Sequence, residues 1–562
     1  MFRLRRIAAL VTQLALVASF AFSTSSMKAN GDHNLIKAEE LKEWLSYLAS
    51  DEFEGRNTYS EGLGLAAGYI AGQLKSWGVK PGGPNGSYFQ RVAVLGVKST
   101  NSSTVTVEAN GQTRTFKNKE GVSFLPNVGA KRSVKGDEIE FVGYGLYLPK
   151  HNDYADKKVK GKVVVYLGTA APKDIAQQQT FRVMAGRSRN ATAMESAIAT
   201  IGPVMPLRRG RGGEPGAGGA EAALSESDFT TVQRLDTPIA PNVSAQDEFF
   251  EFLFSGADVK YADLKEKASR GEALPAFALK NVRITFNIDA DYKIVRTQYT
   301  RNVIGIIEGT DAKLKETYVA FGAHYDHVGY AEGEIEDGRR LGARGRVTEN
   351  TAEDRIWNGA DDDGSGTVGI LGVAKAFALG SKPKRSLLFV WHAGEEKGLL
   401  GSRYFADYSS VPMDKIIAQI NIDMIGRNRD NKADEANSVY PVGSDRISTE
   451  FHNITVEANS ALEKPLKLDY EMNDPADLEQ VYYRSDHYSY AAKGIPIVFL
   501  TTGLHADYHA NTDSPEKINY EKLARIAQYA YEIGARTANL DRAPVRDNLG
   551  PRVGRTVTGK LK

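Results

Sequence analysis

The stretch Thr317-Tyr318-Val319-Ala320-Phe321-Gly322-Ala323-His324-Tyr325-Asp326-His327 decides the fold that we predict for this chain. Its first half is an apolar run with the length of a buried strand. Its second half carries ionisable side chains at the point where that strand ends. Ligands bind beyond the carboxyl ends of the strands in open α/β sheets, so this stretch predicts both an α/β fold and the position of a site.

The same pattern continues on both sides of this stretch. Strand-like apolar runs occupy residues 303–307, 387–391, 416–422 and 497–500. A helix-like segment, 366–379, lies before the run 387–391, and another, 520–535, follows the last run. Alternation of strands and helices predicts an α/β domain over residues 296–540, with a central, mostly parallel mixed sheet that is flanked by helices.

The chain before this domain divides into two parts. Residues 35–94 have a helical pattern, with apolar side chains three or four positions apart from Leu41 to Leu48, and we assign them to the same domain. Residues 95–295 contain short β-branched runs separated by Gly and Asn, which predict a β-rich insert. The Gly- and Arg-rich segment 208–220 predicts a flexible loop inside this insert.

Composition excludes several classes of protein and of site. The 562 residues include 71 basic and 70 acidic ones, and this formal net charge of +1 gives no global field for binding nucleic acid. The chain has no cysteine, which excludes disulfides, a thiol nucleophile and thiolate metal ligands. Any bound metal is therefore held by nitrogen and oxygen atoms.

The two ends of the chain differ from the rest. Met1–Arg6 carries three arginines, residues 7–22 are mostly apolar, and small residues follow. This pattern predicts a signal peptide over residues 1–23, with a secreted or periplasmic mature protein and no stable membrane association after its removal. An uncleaved anchor is the alternative, but the apolar run is shorter than the roughly 20 residues that span a bilayer. Residues 541–562 lack periodicity and predict a surface tail.

Potential metal ligands follow each of the later strands. They are His324 and Asp326, the pair Glu395 and Glu396, Asp423, and His509, with a run of aspartates from Asp361 to Asp363 just before a predicted helix. Any one of these motifs is common in proteins without a metal site. Charged groups at the ends of apolar strands cost several kcal/mol each unless they are paired or bind a metal. Two histidines and three carboxylates suit a pair of Zn²⁺ ions.

Several strings of the sequence together resemble one enzyme family, the di-zinc exopeptidases that include bacterial aminopeptidases and the glutamate carboxypeptidases. The matching strings are Ala323-His324-Tyr325-Asp326-His327, Asn358-Gly359-Ala360-Asp361-Asp362-Asp363-Gly364-Ser365-Gly366, Gly394-Glu395-Glu396-Lys397-Gly398-Leu399-Leu400-Gly401-Ser402, Asn421-Ile422-Asp423-Met424 and Tyr508-His509. They occur in the order of the family and cover about residues 300–540. The resemblance implies a zinc-dependent hydrolase of peptide substrates, in which a water bridging the two metal ions attacks the peptide bond.

The resemblance also implies a role for each site residue. His324 and Asp423 hold one zinc ion, Glu396 and His509 hold the other, and Asp361 bridges the two. Asp326 accepts a hydrogen bond from the ring of His324, and Glu395 is the general base. A cis peptide bond is expected after Asp361. Weaker candidates are the Arg484-Ser485-Asp486-His487 motif, Tyr482 or Tyr483 as an oxyanion donor, and His327 and His505 beside the ligands.

The predicted insert resembles the protease-associated domain that is often found in this family. The matching pieces are Phe141-Val142-Gly143-Tyr144-Gly145, Tyr154-Ala155-Asp156 and Val159-Lys160-Gly161-Lys162-Val163-Val164-Val165. The Gly- and Arg-rich loop departs from the pattern of that domain. The sequence does not define the role of the insert relative to the site.

Three other functions stay open at this point. A related aminoacylase or carboxypeptidase shares the His-x-Asp motif and the Glu-Glu pair, and a glutaminyl cyclase uses the same scaffold with one zinc ion. A non-catalytic receptor on this fold is expected to have lost ligands, whereas every ligand position is filled here. The choice of aminopeptidase over carboxypeptidase follows from the prevalence of aminopeptidases in the family, and the sequence leaves side-chain preference and oligomeric state open.

Overall fold

The structure is a computed structural model, and it describes residues 31–148, 151–173, 175, 181–205, 227–331, 335–336, 339–340, 345–348, 353–548 and 560–561. The predicted signal peptide, 1–23, and the predicted Gly- and Arg-rich loop, 208–220, lie outside these residues. Most of the predicted tail beyond residue 548 lies outside them as well.

A ten-stranded mixed sheet forms the centre of the molecule. Its strands, in spatial order, are Phe229–Thr231, Phe89–Asn101, Ala290–Ile307, Ser386–His392, Tyr318–His324, Ile416–Ile422, Ile497–Thr501, Ser438–Val442 and Lys467–Leu468, and Lys80–Pro81 pairs with Ala290–Ile307. The four strands from Ser386–His392 to Ile497–Thr501 run parallel to one another, and the strands next to them on either side are antiparallel. This arrangement confirms the predicted α/β fold class.

Helices cover both faces of this sheet. They are Ala38–Leu48, Glu61–Ser76, Gly366–Leu379, Leu400–Asp407, Thr449–Asn459, His487–Ala491 and Tyr520–Ala538. Successive side chains of a strand point to opposite faces, so Val319 and Phe321 pack in the core under the long helices, while Ala320 packs in the core under Leu400–Asp407 and His487–Ala491. Burial on both faces explains why these strands read as continuous apolar runs in the sequence.

A second ten-stranded sheet lies between residues 104 and 288. Its strands, in spatial order, are Phe277–Leu279, Ile139–Phe141, Val163–Val165, Ala199–Pro203, Asn242–Ala245, Gly121–Phe124, Gln112–Asn118, Thr104–Ala109, Arg283–Ile288 and Arg132–Gly136. The helices Asp247–Leu253 and Tyr261–Ser269 pack on it around a separate apolar core. The ends of the predicted insert, 95–101 and 290–295, instead continue strands of the first sheet.

Shorter elements complete the described part of the chain. The helical segments Phe181–Ala185 and Arg187–Arg189 follow one another in the insert. Three two-stranded pairs join Tyr147–Leu148 to His151–Asn152, Gly329–Tyr330 to Ile356–Trp357, and Ile335–Glu336 to Arg339–Arg340. Among the described residues, no helix has both the length and the apolar character that crossing a bilayer requires.

Several contacts join the insert to the first domain, among them a 3.0 Å hydrogen bond from the Arg234 amide to Asp407 Oδ2. The chain enters and leaves the insert side by side, where the Ser102 amide donates to the Asp289 carbonyl over 2.8 Å. Another contact is apolar, because Leu478 of the first domain packs against a core of the insert that contains Leu146 and Met184. This apolar contact brings residues 181–195 of the insert to the segment 478–484, which borders the site described next.

Candidate metal centre

Three parallel strands deliver the candidate ligands to one edge of the central sheet. His324 is the last residue of Tyr318–His324, and Asp423 directly follows Ile416–Ile422. Glu395 and Glu396 come after the end of Ser386–His392, where Gly394 adopts a φ of +76° and turns the chain. A side chain on Gly394 would meet Thr58 and Leu400 at 3.0 Å, so this turn needs a glycine.

The side chains form two groups that share Asp362. In the first group, His324 Nε2 lies 3.3 Å from Asp362 Oδ1 and 3.7 Å from Asp423 Oδ2. In the second group, His509 Nε2 lies 3.1 Å from Asp362 Oδ2 and 3.2 Å from Glu396 Oε2. The structure therefore brings His324, Glu396, Asp423 and His509 together, as the sequence predicts.

Polar atoms in this cluster lack the partners that buried groups normally have. Asp362 Oδ2 and both ring nitrogens of His327 are buried and form no hydrogen bond within the described part of the chain. His327 Nδ1 does lie 3.0 Å from Glu396 Oε1 and 3.8 Å from Asp362 Oδ2. Buried polar groups without hydrogen bonds are costly, and a cation between these atoms would satisfy them. Imidazole and carboxylate donors at these separations fit zinc.

The predicted bridging role of Asp361 is wrong, because its side chain points away from the cluster. Asp361 Oδ1 accepts a 2.6 Å hydrogen bond from the Gly426 amide, and Asp361 Oδ2 lies 3.1 Å from His505 Nε2. Asp362, one residue later, occupies the shared position. The cis peptide bond also lies one residue later than predicted, since it joins Asp362 to Asp363 rather than Asp361 to Asp362.

The third aspartate, Asp363, ties two strand ends together. Its Oδ2 accepts from the His324 amide over 3.2 Å, and its Oδ1 accepts from the Met424 amide over 3.1 Å and from the Gly366 amide over 2.9 Å. Asp363 is fully buried. Its carboxylate thus fixes the spacing between the backbones that carry His324 and Asp423.

The Asp326 carboxylate binds the backbone of Glu395, the candidate general base, rather than the imidazole ring of His324. Its Oδ1 accepts from the Glu395 amide over 3.1 Å, and its Oδ2 accepts from Thr58 Oγ1 over 3.0 Å. The ring Nδ1 of His324 lies 3.1 Å from the backbone carbonyl oxygen of Asp326 but 3.7 Å from its Oδ1. The predicted hydrogen bond to the Asp326 carboxylate is therefore corrected to one with its carbonyl group, which leaves Nε2 of His324 facing the cluster.

The adjacent residues Glu395 and Glu396 have opposite electrostatic surroundings. Burial raises the pKa of Glu395 well above its usual value; the His324 charge opposes this rise, and the charges of Glu396 and Asp423 add to it. Burial also opposes ionisation of Glu396, but the charge of His509 outweighs it and lowers the pKa of Glu396. One carboxylate is thus kept as an anion, while its neighbour is suited to hold a proton.

Arg56 joins the N-terminal helical part to the ligand loops. This buried side chain donates to the carbonyl oxygens of Tyr325 at 3.0 Å, Leu48 at 2.8 Å, Asn358 at 2.6 Å and Gly359 at 2.8 Å. The Tyr325 carbonyl lies beside His324, those of Asn358 and Gly359 lie just before the aspartate run, and that of Leu48 ends the helix Ala38–Leu48. A guanidinium, with five donors in a rigid plane, suits this position better than any other side chain.

The loop that carries His509 is held by contacts on two sides. The ring of Tyr508 stacks on His509 with 4.0 Å between ring centres, and the Tyr508 hydroxyl accepts a 3.3 Å hydrogen bond from Arg484. The Arg346 amide donates to the His509 carbonyl over 2.6 Å. Arg484 and Tyr508 are therefore neighbours of the cluster that act on the orientation of His509.

The rest of the Arg484–His487 motif supports the sheet beneath the site. Ser485 Oγ accepts a 3.0 Å hydrogen bond from Asn421, two residues before Asp423. Burial raises the pKa of Asp486 to about 7, and its Oδ2 lies 3.5 Å from His392 Nδ1, behind the ligand strands. His487 Nε2 lies 2.8 Å from the Tyr482 carbonyl oxygen.

A cavity of about 280 Å³ opens beside the cluster. Its lining includes the site residues His324, Asp362, Glu395, Asp423 and His509, the apolar residues Met424, Met472, Val481, Phe499 and Leu504, and the charged residues Arg429, Asp430, Glu479 and Arg484. Neither Tyr482 nor Tyr483 belongs to this lining, whereas Tyr508 does. A cavity with apolar walls and a few convergent polar groups suits a small organic ligand or a peptide end.

Sequence reasoning missed two features of the site. Asp362 was passed over because three consecutive aspartates are indistinguishable until the backbone turns between them. The sequence names His327 only as a weaker candidate beside the ligands, although its position three residues after His324 is a signal. The two histidines lie in different groups, because the chain leaves the strand after His324 and His327 bonds through its amide to the Arg56 carbonyl.

The chain is similar to one peptidase family and to curated aminopeptidases. Residues 302–533 match the model of peptidase family M28. A probable leucine aminopeptidase of Trichophyton verrucosum is 28% identical over 42% of this chain and 58% of that protein, and one of Arthroderma benhamiae is 30% identical over 32% and 49%. The chain thus spans about half the length of these curated relatives.

Solved structures of similar proteins include two bacterial aminopeptidases. The aminopeptidase of Aneurinibacillus sp. strain AM-1 is 20% identical, with 93% of this chain and 100% of that chain covered and a TM-score of 0.43. A zinc aminopeptidase of Bacillus subtilis is 17% identical, with 91% and 98% covered and a TM-score of 0.41. Residues 302–533, which match the model of peptidase family M28, carry every candidate ligand, and this match agrees with the resemblance seen in the motifs.

Proposed function

We propose that this protein is a zinc-dependent aminopeptidase that binds two zinc ions per chain. His324 and Asp423 would hold one ion, Glu396 and His509 the other, and Asp362 would hold both. The observation that carries the proposal is the position of Asp362, with one oxygen 3.3 Å from His324 and the other 3.1 Å from His509. His327, buried beside Glu396, would orient that carboxylate or serve as a further ligand.

Zinc bound at such sites lowers the pKa of water to about 7 and polarises a carbonyl group. The residues of the chain supply the rest of the chemistry. Glu395 accepts the proton of the attacking water, since burial keeps its pKa high enough to hold that proton. Glu395 then gives the proton to the amine that leaves. Asp326 keeps Glu395 in place through the hydrogen bond to the Glu395 amide.

The cavity favours an apolar first residue in the substrate. Met424, Met472, Val481, Phe499 and Leu504 form an apolar wall beside the cluster, and burying an apolar side chain there would stabilise the complex by about 1.5–3 kcal/mol. The curated relatives described above are named leucine aminopeptidases, which agrees with such a preference.

A substitution of Glu395 tests the proposed function. Glu395→Gln keeps the size of the side chain and removes the proton acceptor, so we expect kcat on leucine p-nitroanilide to fall by about 10²–10⁴-fold. Metal content, measured by plasma mass spectrometry, should stay at that of the wild type. The exposed Glu316→Gln is the control and should leave both values unchanged. A Glu395→Gln enzyme with normal kcat would refute the assignment of the base.

Substrate panels separate this function from its alternatives. An aminopeptidase cleaves leucine p-nitroanilide but not N-acetylated peptides, whereas a carboxypeptidase or an aminoacylase accepts a blocked amine. One zinc ion per chain with cyclisation of N-terminal glutamine would indicate a glutaminyl cyclase. All of these candidate enzymes depend on zinc. Each should therefore lose activity after chelation and recover it when Zn²⁺ is added.

The proposal extends to the insert and to export. The insert would be a protease-associated domain, which its β-rich fold, with the helices Asp247–Leu253 and Tyr261–Ser269 packed on the sheet, supports. Export to the periplasm or the medium is supported by the basic start and the apolar run of residues 7–22. N-terminal sequencing of the mature protein would test cleavage near residue 23.

A further inference from the structure

A buried lysine, Lys522, lies in the first turn of the long helix Tyr520–Ala538. Only 1% of its surface is exposed. A cation is disfavoured at this place for two reasons, because burial removes its water and because the N-terminal end of a helix carries a partial positive charge. The surrounding structure must therefore supply groups that offset this cost.

Three neutral oxygen atoms surround the ammonium group of Lys522. Its Nζ donates to the carbonyl oxygens of Arg427 over 2.9 Å and Glu435 over 2.8 Å, and to Asn428 Oδ1 over 3.0 Å. An ammonium group has three N–H donors, so each donor has one acceptor here. The neutral amine has one donor fewer and would leave one of these oxygens without its partner.

The hydrogen bonds from Lys522 join the two ends of the loop 427–435. Arg427 begins this loop and Glu435 ends it, and the one ammonium group binds the carbonyl oxygen of each. Between them lie two short helical turns, Arg429–Asn431 and Ala433–Glu435, and turns of this length are not stable by themselves. Lys522 therefore fixes the distance between the ends of the loop.

The same loop forms part of the wall of the cavity beside the candidate metal centre. Arg429 and Asp430 line this cavity together with Glu395. The Asp430 amide donates to the carbonyl oxygen of Leu504 over 2.9 Å, and Leu504 also lines the cavity. Arg429 lies so close to Gly503 that a Cβ added there would meet Arg429 Cγ at 3.3 Å. A shift of the loop would therefore change the shape of the cavity.

Other contacts constrain the loop less than the bonds from Lys522 do. Lys432 Nζ lies 2.9 Å from Asp430 Oδ2, but both side chains are more than half exposed and both belong to the loop. Arg429 Nη1 lies 3.1 Å from Glu471 Oε2, and both of these side chains are partly exposed. Exposed ion pairs contribute little to stability, whereas a buried oxygen that loses its donor is costly.

The charge of Lys522 depends on pH in a range where the protein can be studied. Burial lowers the pKa of Lys522 from its ordinary value to about 8. The charges of Asp361, from the turn 361–363, and of Glu435, from the loop, oppose this change, and the charge of Arg525, on the same helix, adds to it. The ammonium form with its three hydrogen bonds is therefore present below pH 8 and is lost as the pH rises through that value.

We propose that Lys522 is a positioning residue that holds the loop 427–435 in the wall of the substrate cavity, and that loss of its proton loosens this wall and weakens substrate binding. The proposal rests on the proposed function in one respect, that this cavity binds the substrate. Lys522 does not line the cavity, so it acts through Arg429 and Asp430. Its loss should raise KM with little change in kcat, since Glu395 and the candidate ligands lie on other segments.

Hydrogen–deuterium exchange of the zinc-loaded wild type tests the loop without relying on turnover. Amides of the loop 427–435 should exchange about tenfold faster at pH 9.5 than at pH 7, after correction for the chemical effect of pH on exchange. Amides of the buried strand Ile416–Ile422 are the internal control and should show no such change. Equal protection of the loop at both pH values would overturn the proposal.

Two substitutions assign the pH dependence to Lys522. Asn428→Asp places a carboxylate beside Nζ and so raises the pKa of Lys522, and both the faster exchange and the rise in KM for leucine p-nitroanilide should move up by about one pH unit or more. Lys522→Met removes the ammonium group, so KM should already be raised roughly tenfold at pH 7. Lys80→Met removes an exposed lysine paired with Glu308 and should behave as the wild type.

The amine of the substrate titrates in the same way with every variant, so the comparison among the variants isolates Lys522. An Asn428→Asp enzyme with the pH profile of the wild type would refute the proposal, as would a Lys522→Met enzyme with the KM of the wild type. If Lys522→Met does not fold, exchange in the wild type and in Asn428→Asp still decides.

The result is distinguishable from failure of the proposed function. If leucine p-nitroanilide is not cleaved, the aminopeptidase proposal fails, while faster exchange of the loop at high pH, shifted by Asn428→Asp, still supports the role of Lys522. If leucine p-nitroanilide is cleaved and exchange of the loop is the same at both pH values, the aminopeptidase proposal stands and the role of Lys522 is refuted.

Discussion

Three consecutive aspartates, Asp361 to Asp363, form three different sets of contacts because the backbone turns between them. Asp361 bonds to Gly426 and lies beside His505, Asp363 binds the backbone at two strand ends, and Asp362 alone faces the histidine cluster. The amides of Asp361 and Asp362 both donate to Asp513, over 3.0–3.1 Å, and this fixes the turn. Which aspartate is the candidate ligand is thus decided by the turn of the backbone as well as by residue type.

Conservative substitutions at these positions should therefore have very different effects on metal binding. Asp362→Asn removes a negative charge that both candidate metal positions share, so we expect zinc content to fall below half of the wild-type value. Asp361→Asn keeps an oxygen that accepts from the Gly426 amide, so zinc content should stay near the wild-type value. Plasma mass spectrometry after dialysis measures both. Loss of zinc in Asp361→Asn with retention in Asp362→Asn would reverse the assignment.

The sequence predicts a group of site residues that the structure brings together, apart from a shift of one position among the aspartates. His324, Glu396, Asp423 and His509 were predicted because each follows an apolar strand or a short loop after one, and the structure brings them together. The choice among the aspartates depends on hydrogen bonds to Gly426 and Asp513, which lie far away in the chain. No local pattern encodes such contacts, which explains why the bridging residue was misassigned.

At the scale of elements, the N-terminal helical part acts as a support for the ligand loops. Arg56 lies between the helices Ala38–Leu48 and Glu61–Ser76 and donates to carbonyl groups on both sides of the site. Thr58, two residues later, donates to Asp326, which in turn accepts from the Glu395 amide. None of the candidate ligands lies on this element, yet the positions of several of them depend on it.

Replacement of Arg56 should lower stability and metal affinity together. Arg56→Lys leaves at least one of the buried carbonyl groups without a donor, and each such loss costs about 1–3 kcal/mol. We expect a drop of roughly 2–4 kcal/mol in the free energy of unfolding and weaker zinc binding, measured by urea denaturation and by competition with a chromogenic chelator. Arg283→Lys, at an exposed position, is the control. Unchanged zinc affinity in Arg56→Lys would show that this arginine has no positioning role.

Sequence patterns located the buried strands well and the exposed ones poorly. The runs 387–391, 416–422 and 497–500 correspond closely to observed strands because burial on both faces makes them continuously apolar. The strand Ala290–Ile307 was predicted only over 303–307. Its first part forms an exposed ribbon with Phe89–Asn101, where Ile294 and Tyr299 are half exposed, so no buried face imposes an apolar pattern there.

For the whole molecule, we expect metal binding and folding to be coupled through the sheet edge. The ligands come from three strands and two loops that are distant in sequence, so a bound ion stabilises only the folded state. A ligand at 1,000 times its dissociation constant contributes about 4 kcal/mol. Chelation should therefore lower the melting temperature by about 10 °C or more in a domain of this size, as followed by circular dichroism. Addition of Zn²⁺ should restore it, and an unchanged melting temperature after complete metal removal would contradict the coupling.

Metal affinity should also depend on pH in a definite direction. Burial opposes protonation of His324 and His509, but nearby carboxylates outweigh it and raise the pKa of both well above the ordinary value. Protons therefore compete with zinc up to neutral pH, and binding releases them. The apparent dissociation constant should fall by about tenfold per pH unit, for each proton released, as the pH rises from 6 to 8. A pH-independent constant from calorimetry would contradict this competition.

The most direct test of the account is anomalous X-ray diffraction at the zinc edge from crystals grown with Zn²⁺. We expect two anomalous peaks at this site, each about 2.0–2.2 Å from its imidazole and carboxylate ligands, with one oxygen of Asp362 on each ion. A single peak, or two peaks joined by Asp361 instead of Asp362, would contradict the proposed centre.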